Sequence, residues 1–165
     1  MAFNPYNPWQ LATGASDGTV KLWNLPEHGL TGDWDAQKAT STLGGHGKRV
    51  DSIAWHPSAC NVLAASGSDN AVHLWDTTTA TEKLKVAKFG DTVDSISWNY
   101  EGNFLAVTSR DKKIRIVDPR ADSVVQVLSD PLLSISCKLS ITPLTNLIFT
   151  FNRKLLVTKE LADPR

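Results

Sequence analysis

The chain has 165 residues, 41% hydrophobic and 21% charged, which is enough for one domain with a sizeable core and unlike a disordered segment. Its 17 Lys+Arg balance 17 Asp+Glu, so the formal net charge is +0 and no basic excess points to nucleic acid. No apolar run approaches the roughly 18–20 residues of a membrane span, and the start MAFNPYNPWQ has neither the basic region nor the apolar core of a secretory signal.

In chain order, the first stretch is FNPYNPWQLATGASDGTVKLWNL (3–25), where Asp17-Gly18 marks a tight turn between two short strands. Phe3 is expected at the end of an incomplete opening strand, with Tyr6 and Trp9 packing at the entrance of the next strand or serving as partner contacts. A polar loop follows to Gly45-His46. Val50-Asp51-Ser52-Ile53-Ala54-Trp55 then alternates with period two and predicts a strand. His56-Pro57 is turn material, Val62–Ala65 a buried strand, Asp69-Asn70 a turn, Ala71–Trp75 a third strand and Glu82–Ala87 a polar outer fourth. The series then repeats: Val93–Trp98, a turn at 99–103, Phe104–Val107 and Asp111-Lys112. No amphipathic helix of convincing length appears, so the expected class is all-β. Cys60 and Cys137 form no CxxC and are expected as reduced thiols of a cytosolic protein.

The repetition is metrical. An aromatic precedes the turn Asp by 14 residues in the first two units (Phe3 to Asp17, Trp55 to Asp69), and the Asp precedes Trp by six (Asp17 to Trp23, Asp69 to Trp75). The third unit keeps the six, from Asp111 to Val117, and shortens the other interval to 13, from Trp98 to Asp111. Four short strands per unit, with Gly45-His46 before the first and Trp75-Asp76 after the third, resemble a WD40 β-propeller blade. The expected organisation is WD40 repeats over 1–128, as a partial blade 1–25 and blades 44–88 and 89–128. Residues 129–165 are expected as a degenerate fourth blade, with an inner strand at 146–150, or as an unrelated tail. Asp163-Pro164-Arg165 echoes Asp118-Pro119-Arg120 at a blade-like interval of 45 residues. Three or four blades do not close a ring, so an incomplete propeller, a fragment, is the expectation.

By that resemblance His46, Asp69, a strand hydroxyl and Trp75 would form a buried hydrogen-bonded chain, tolerable only when each donor meets an acceptor. Ser66 is preferred over Ser68 for the hydroxyl. A catalytic His46–Asp69 pair is the alternative, but the repeat already accounts for both residues. No GxSxG, HExxH, Walker loop or paired-Cys site occurs, so no catalytic residue, metal or cofactor is expected. His73, inside a strand, and Trp34, in the long loop, read as surface or packing residues.

The loop between the first two units makes the likeness more specific. PEHGLT (26–31), KRVDSIAWHP (48–57), NVLAASGSDNAVHLWD (61–76) and KKIRIVDPR (112–120), with Phe89-Gly90 and Val117 replacing Gly-His and Trp, resemble the coronin family over residues 3–120. The resemblance implies a seven-bladed propeller of which this chain would hold blades two to four. It also implies a non-catalytic role in the cytoplasm, binding actin filaments and regulating actin cytoskeleton organisation with other cytoskeletal or trafficking proteins. A generic WD40 scaffold in a trafficking or ubiquitin-ligase complex is the alternative. The candidate partner contacts are Lys48, Arg49, Arg110, Lys112, Lys113 and Arg115; the alternative for these is a solvated basic turn.

Overall fold

The computed structural model describes residues 1–27, 38–87 and 89–129 in full, together with the backbone of three further strands at 138–142, 145–151 and 154–157. Three four-stranded antiparallel sheets follow one another. The first is β1 (Ala2–Phe3), β2 (Gln10–Gly14), β3 (Val20–Asn24) and β4 (Ser41–Leu43). Its fourth strand thus comes from beyond residue 25. The second sheet is β5 (Val50–Trp55), β6 (Val62–Gly67), β7 (Val72–Asp76) and β8 (Thr81–Val86). The third is β9 (Val93–Trp98), β10 (Leu105–Ser109), β11 (Lys113–Asp118) and β12 (Ser123–Ser129). β13 (Lys138–Thr142), β14 (Thr145–Phe151) and β15 (Lys154–Val157) make a three-stranded antiparallel sheet. Among the described residues there is no helix, and none long and apolar enough to cross a membrane. The chain is all-β and built of propeller blades.

Each blade is a meander whose strands present alternate residues to two faces, and in the second blade both faces are buried because a blade lies on either side. In the second blade Leu63, Ala65 and Trp75 join Ala12, Val20, Leu22 and Leu43 of the first. The intervening residues Ala64, Val72 and Leu74 join Val93, Ile96, Trp98, Leu105, Val107 and Val117 of the third. The core is therefore a series of layers between blades. Val117 fills in the third blade the place that Trp75 fills in the second.

Polar contacts between blades repeat as well. Trp55 Nε1 donates to Ala2 O at 3.0 Å and Trp98 Nε1 to Ala54 O at 3.4 Å, each reaching the first strand of the preceding blade. Asn4 Nδ2 donates to Cys60 O at 3.0 Å, and His56 Nε2 donates likewise to Gly102 O at 2.9 Å. Those two acceptors sit on matching turns of successive blades. Gly102 has φ +80, and a Cβ there would lie 2.1 Å from the His56 ring.

The second residue of every Asp turn lies in the left-handed region: Gly18 (φ 84), Asn70 (φ 61) and Lys112 (φ 59). Gly18 bears a second constraint, since a Cβ would come within 2.4 Å of the His46 carbonyl oxygen. Gly18→Ala combines left-handed strain with a backbone collision at the first blade–blade contact. A loss of about 1–3 kcal/mol is expected, measured as a lower urea midpoint at unchanged m-value. Asn70, where a side chain is already accommodated, should accept Ala with a smaller loss.

Candidate functional site

One end of the blades collects the loop that enters each first strand and the turn joining the second strand to the third. The backbone ties them: Val50 N to Ala15 O at 3.1 Å, Ser68 N to Arg49 O at 2.9 Å and Arg110 N to Thr92 O at 2.9 Å. Every turn aspartate is at this end, and each blade satisfies its carboxylate differently. Asp17 accepts from Thr19 N at 2.9 Å and Thr19 Oγ1 at 2.7 Å, and these bonds hold its pKa below the usual carboxylate range. Asp69 meets His46 Nδ1 at 2.9 Å and His73 Nε2 at 3.2 Å. Asp111 accepts from Arg115 Nη1 at 3.2 Å, from Arg115 Nη2 and from Ser109 Oγ.

Lys21, His73 and Arg115 occupy one structural position. Their ladder neighbours are Thr13, Ala65 and Val107, each in the second strand of its blade. In the first blade Trp23 Nε1 donates to that neighbour, Thr13 Oγ1, at 2.8 Å. The hydroxyl belongs four residues before the turn Asp, and in the second blade that position is Ala65. Ser66, one residue on, therefore points to the opposite face, toward the third blade. This corrects the expected chain of His46, Ser66, Asp69 and Trp75: His46 and Asp69 are joined, whereas Ser66 Oγ and Trp75 Nε1 are buried without a hydrogen-bond partner. Ser68 is engaged elsewhere, donating to Asp51 Oδ2 at 2.7 Å.

Instead, the buried network runs from His46 through Asp69 to His73, whose Nδ1 meets Glu82 Oε1 at 3.2 Å. His73 is fully buried, its ring 4.0 Å from that of His46 and stacked on Trp75 at 5.5 Å. Burial and the neighbouring His46 push the His73 pKa down, against the opposing pull of Glu82 and Asp69. Burial raises the Asp69 pKa, but the two imidazoles outweigh it and the carboxyl stays below its ordinary value. The placement of His73 beside Lys21 and Arg115 in the repeat was the signal that sequence reading missed.

The basic candidates separate into two groups. Lys48, Arg49, Arg110, Lys112 and Lys113 are exposed at this end. Arg49 pairs with Asp51 and Arg110 with Asp94 at 3.2 Å, each acid being the second residue of its blade's first strand. Arg115 is not a surface residue. It is 8% exposed, grips Asp111 and lies 5.9 Å from the Phe89 ring centre. Its position in β11 aims it inward because Ile114 and Ile116 take the other face.

At the opposite end, a cleft of about 390 Å3 lies between the second and third blades, with His56, Trp98, Leu84, Lys83 and Arg120 on its walls. His56 is held neutral: burial lowers its pKa, and its Nδ1 accepts from Ser58 N and Ala59 N at 3.2 and 3.0 Å. Nearby, Tyr6 and Trp9 are exposed, and Tyr6 OH donates to Pro57 O. Cys60 is a free, exposed thiol. His28–Thr31 of the PEHGLT phrase, Trp34, Cys137 and Asp163-Pro164-Arg165 lie outside the described residues.

Comparison with known proteins supports this architecture. The WD40 family (WD domain, G-beta repeat) matches residues 1–24, 37–76 and 83–118. Human Coronin-2A is 35% identical over 78% of this chain and 25% of its own length. The coronin-like protein crn1 of Schizosaccharomyces pombe is 36% identical over 76% of this chain and 21% of its own. Coronin-7 of Rattus norvegicus is 31% identical over 73% of this chain and 13% of its own. The chain thus spans about a quarter or less of the curated relatives it matches. The crystal structure of the WD40 domain from Toxoplasma gondii coronin superposes with a TM-score of 0.75 and 35% identity, covering 83% of this chain and 35% of that one.

Proposed function

Because this chain belongs to the WD40-repeat family and is homologous to coronins over about three quarters of its length, we propose that it is a coronin-like, non-catalytic interaction module that binds actin filaments and takes part in organising the actin cytoskeleton. The observation that carries the reading is coronin likeness across three consecutive blades, with exposed cations gathered at one end. Rigid blades hold those loops in place, and protein-binding residues are concentrated on such loops. The proposed contact consists of Lys48, Arg49, Lys112 and Lys113, with Arg110 at its margin. An acidic filament surface would meet these cations, and long-range attraction would speed association and make it salt-sensitive. The cytoplasm is the compartment this role requires.

Co-sedimentation of the full chain with actin filaments tests the reading. Pelleting is expected at low salt and should decline as salt rises. Reversing Lys48, Arg49, Lys112 and Lys113 to Glu, at about 0.5 kcal/mol or more per site, should weaken binding roughly tenfold or beyond. These side chains are exposed, so circular dichroism should be unchanged. Failure to pellet at low salt, or pelleting indifferent to the reversals, refutes the proposal.

A further inference from the structure

The buried network of the second blade differs chemically from its counterparts. Where the first and third blades place Lys21 and Arg115, each a fixed cation, the second places the imidazole of His73. That ring has a carboxylate at each nitrogen: Glu82 at Nδ1 and Asp69 at Nε2, both 3.2 Å away. A neutral imidazole carries one N–H, so it donates to only one of them. If it donates to Glu82, the Nε2 lone pair faces Asp69, an acceptor against an acceptor. A second proton on the ring, or a metal ion between the two atoms, relieves such a contact.

We propose that His46 Nδ1, the Asp69 carboxylate and His73 Nε2 form a binding site for a divalent transition-metal ion of the zinc type. The three ligand atoms lie within 4.8 Å of one another. Zinc bonds of about 2.0–2.2 Å in tetrahedral geometry separate ligands by about 3.3 Å. The spacing of Asp69 from the two imidazoles, 2.9 and 3.2 Å, is close to that already, and the two imidazole nitrogens lie within 4.8 Å of each other. Two imidazoles and one carboxylate select zinc, cobalt or nickel over magnesium and calcium, which prefer all-oxygen shells. Glu82 supplies the outer-sphere acceptor that fixes the tautomer of a metal-bound histidine. The imidazoles are buried, with side chains 0% and 1% exposed, while Asp69 and Glu82 at 12% and 35% keep a path to water. Gly45 packs closely against this group, since a Cβ there would stand 3.1 Å from Glu82 Oε2 and 3.2 Å from His73 Nδ1. Three protein ligands leave a fourth position for water, and the ion would lock β7 and β8 onto the loop that enters the blade.

Titration of the full chain with cobalt(II), after chelator treatment, tests the site. One equivalent should produce the visible absorption of tetrahedral cobalt, displaced by zinc, and zinc but not magnesium should raise the unfolding temperature. His73→Lys, which installs the first blade's residue, should abolish both effects. Glu82→Ala, a partly exposed change that leaves the core intact, should weaken affinity about 10- to 100-fold at unchanged stoichiometry. No cobalt absorption, a His73→Lys chain that binds as before, or a Glu82→Ala chain of unaltered affinity overturns the proposal.

Discussion

Replacing Trp75 by alanine is expected to lower stability by about 3–5 kcal/mol, the largest single effect in the chain. The indole is 1% exposed and sits where the second blade meets Ala12, Val20 and Leu22 of the first. Two hydrogen-bonded sheets form the walls, and sheets do not bend inward to fill a hole of indole size. The lost contacts therefore go uncompensated. Against a typical total of about 5–15 kcal/mol, such a loss leaves a substantial unfolded population on warming. Trp75→Phe separates packing from polarity. Because Nε1 makes no hydrogen bond, the phenyl ring gives up volume but no bonded partner, and a loss under about 1.5 kcal/mol is expected. Urea titration followed by circular dichroism measures both. Equal losses for Ala and Phe would show that the indole N–H, rather than its volume, stabilises the interface.

Arg115→Leu is the second large effect. Removing one partner of a buried ion pair costs about 3–5 kcal/mol, and because Asp111 keeps some contact with water the low end, about 3 kcal/mol, is expected here. The pH dependence identifies the cause. Burial raises the Asp111 pKa, but the Arg115 and Ser109 hydrogen bonds overcome it and hold the carboxyl at about 2. A depressed carboxyl stabilises the fold fully above its unfolded value near 4 and loses that contribution as pH falls toward about 2. In the Leu variant only the Ser109 and Lys113 bonds remain to oppose burial, so the carboxyl is depressed less and ionisation contributes less to the fold. The gap between wild type and variant should therefore be widest near pH 6 and narrow below pH 4. A gap constant from pH 6 to pH 2 would assign the effect to lost packing on Phe89. Arg115→Lys, the first blade's residue, keeps the charge without the two-pronged grip and should fall between.

Much of this architecture was legible in the residues. Two matching intervals, from aromatic to turn Asp and from Asp to Trp, located three blades. Period-two runs such as Val93–Trp98 placed their first strands. The Asp17-Gly18, Asp69-Asn70 and Asp111-Lys112 pairs marked turns that all use a left-handed second residue. The polar network was less legible, because one step along a strand exchanges its faces. Ser66 and Ala65 are neighbours in sequence, but they face different blades. A serine three residues before Asp69 looked like the match for a hydroxyl that the first blade, at Thr13, carries four before Asp17. Arg115 looked like part of a surface basic run for the same reason, since charge alone does not reveal the parity of its strand. His73 was hidden because one imidazole within a strand carries no signal until its ladder position is set beside Lys21 and Arg115.

Local chemistry thus determined the repeat, the strands, the turns and the resemblance to coronins, each of which is read from short runs of neighbouring residues. Only the tertiary structure decided which face of each strand meets which neighbour. It also revealed that Trp55 and Trp98 reach back to the preceding blade, whereas Asn4 and His56 reach forward to the next. The gathering of His46, Asp69, His73 and Glu82 around one point was decided there too. The physical reason is that alternation records only that a strand has two buried faces. Which partner covers each face is settled when blades pack, and at that step a carboxylate acquires one cation, two imidazoles or a hydroxyl.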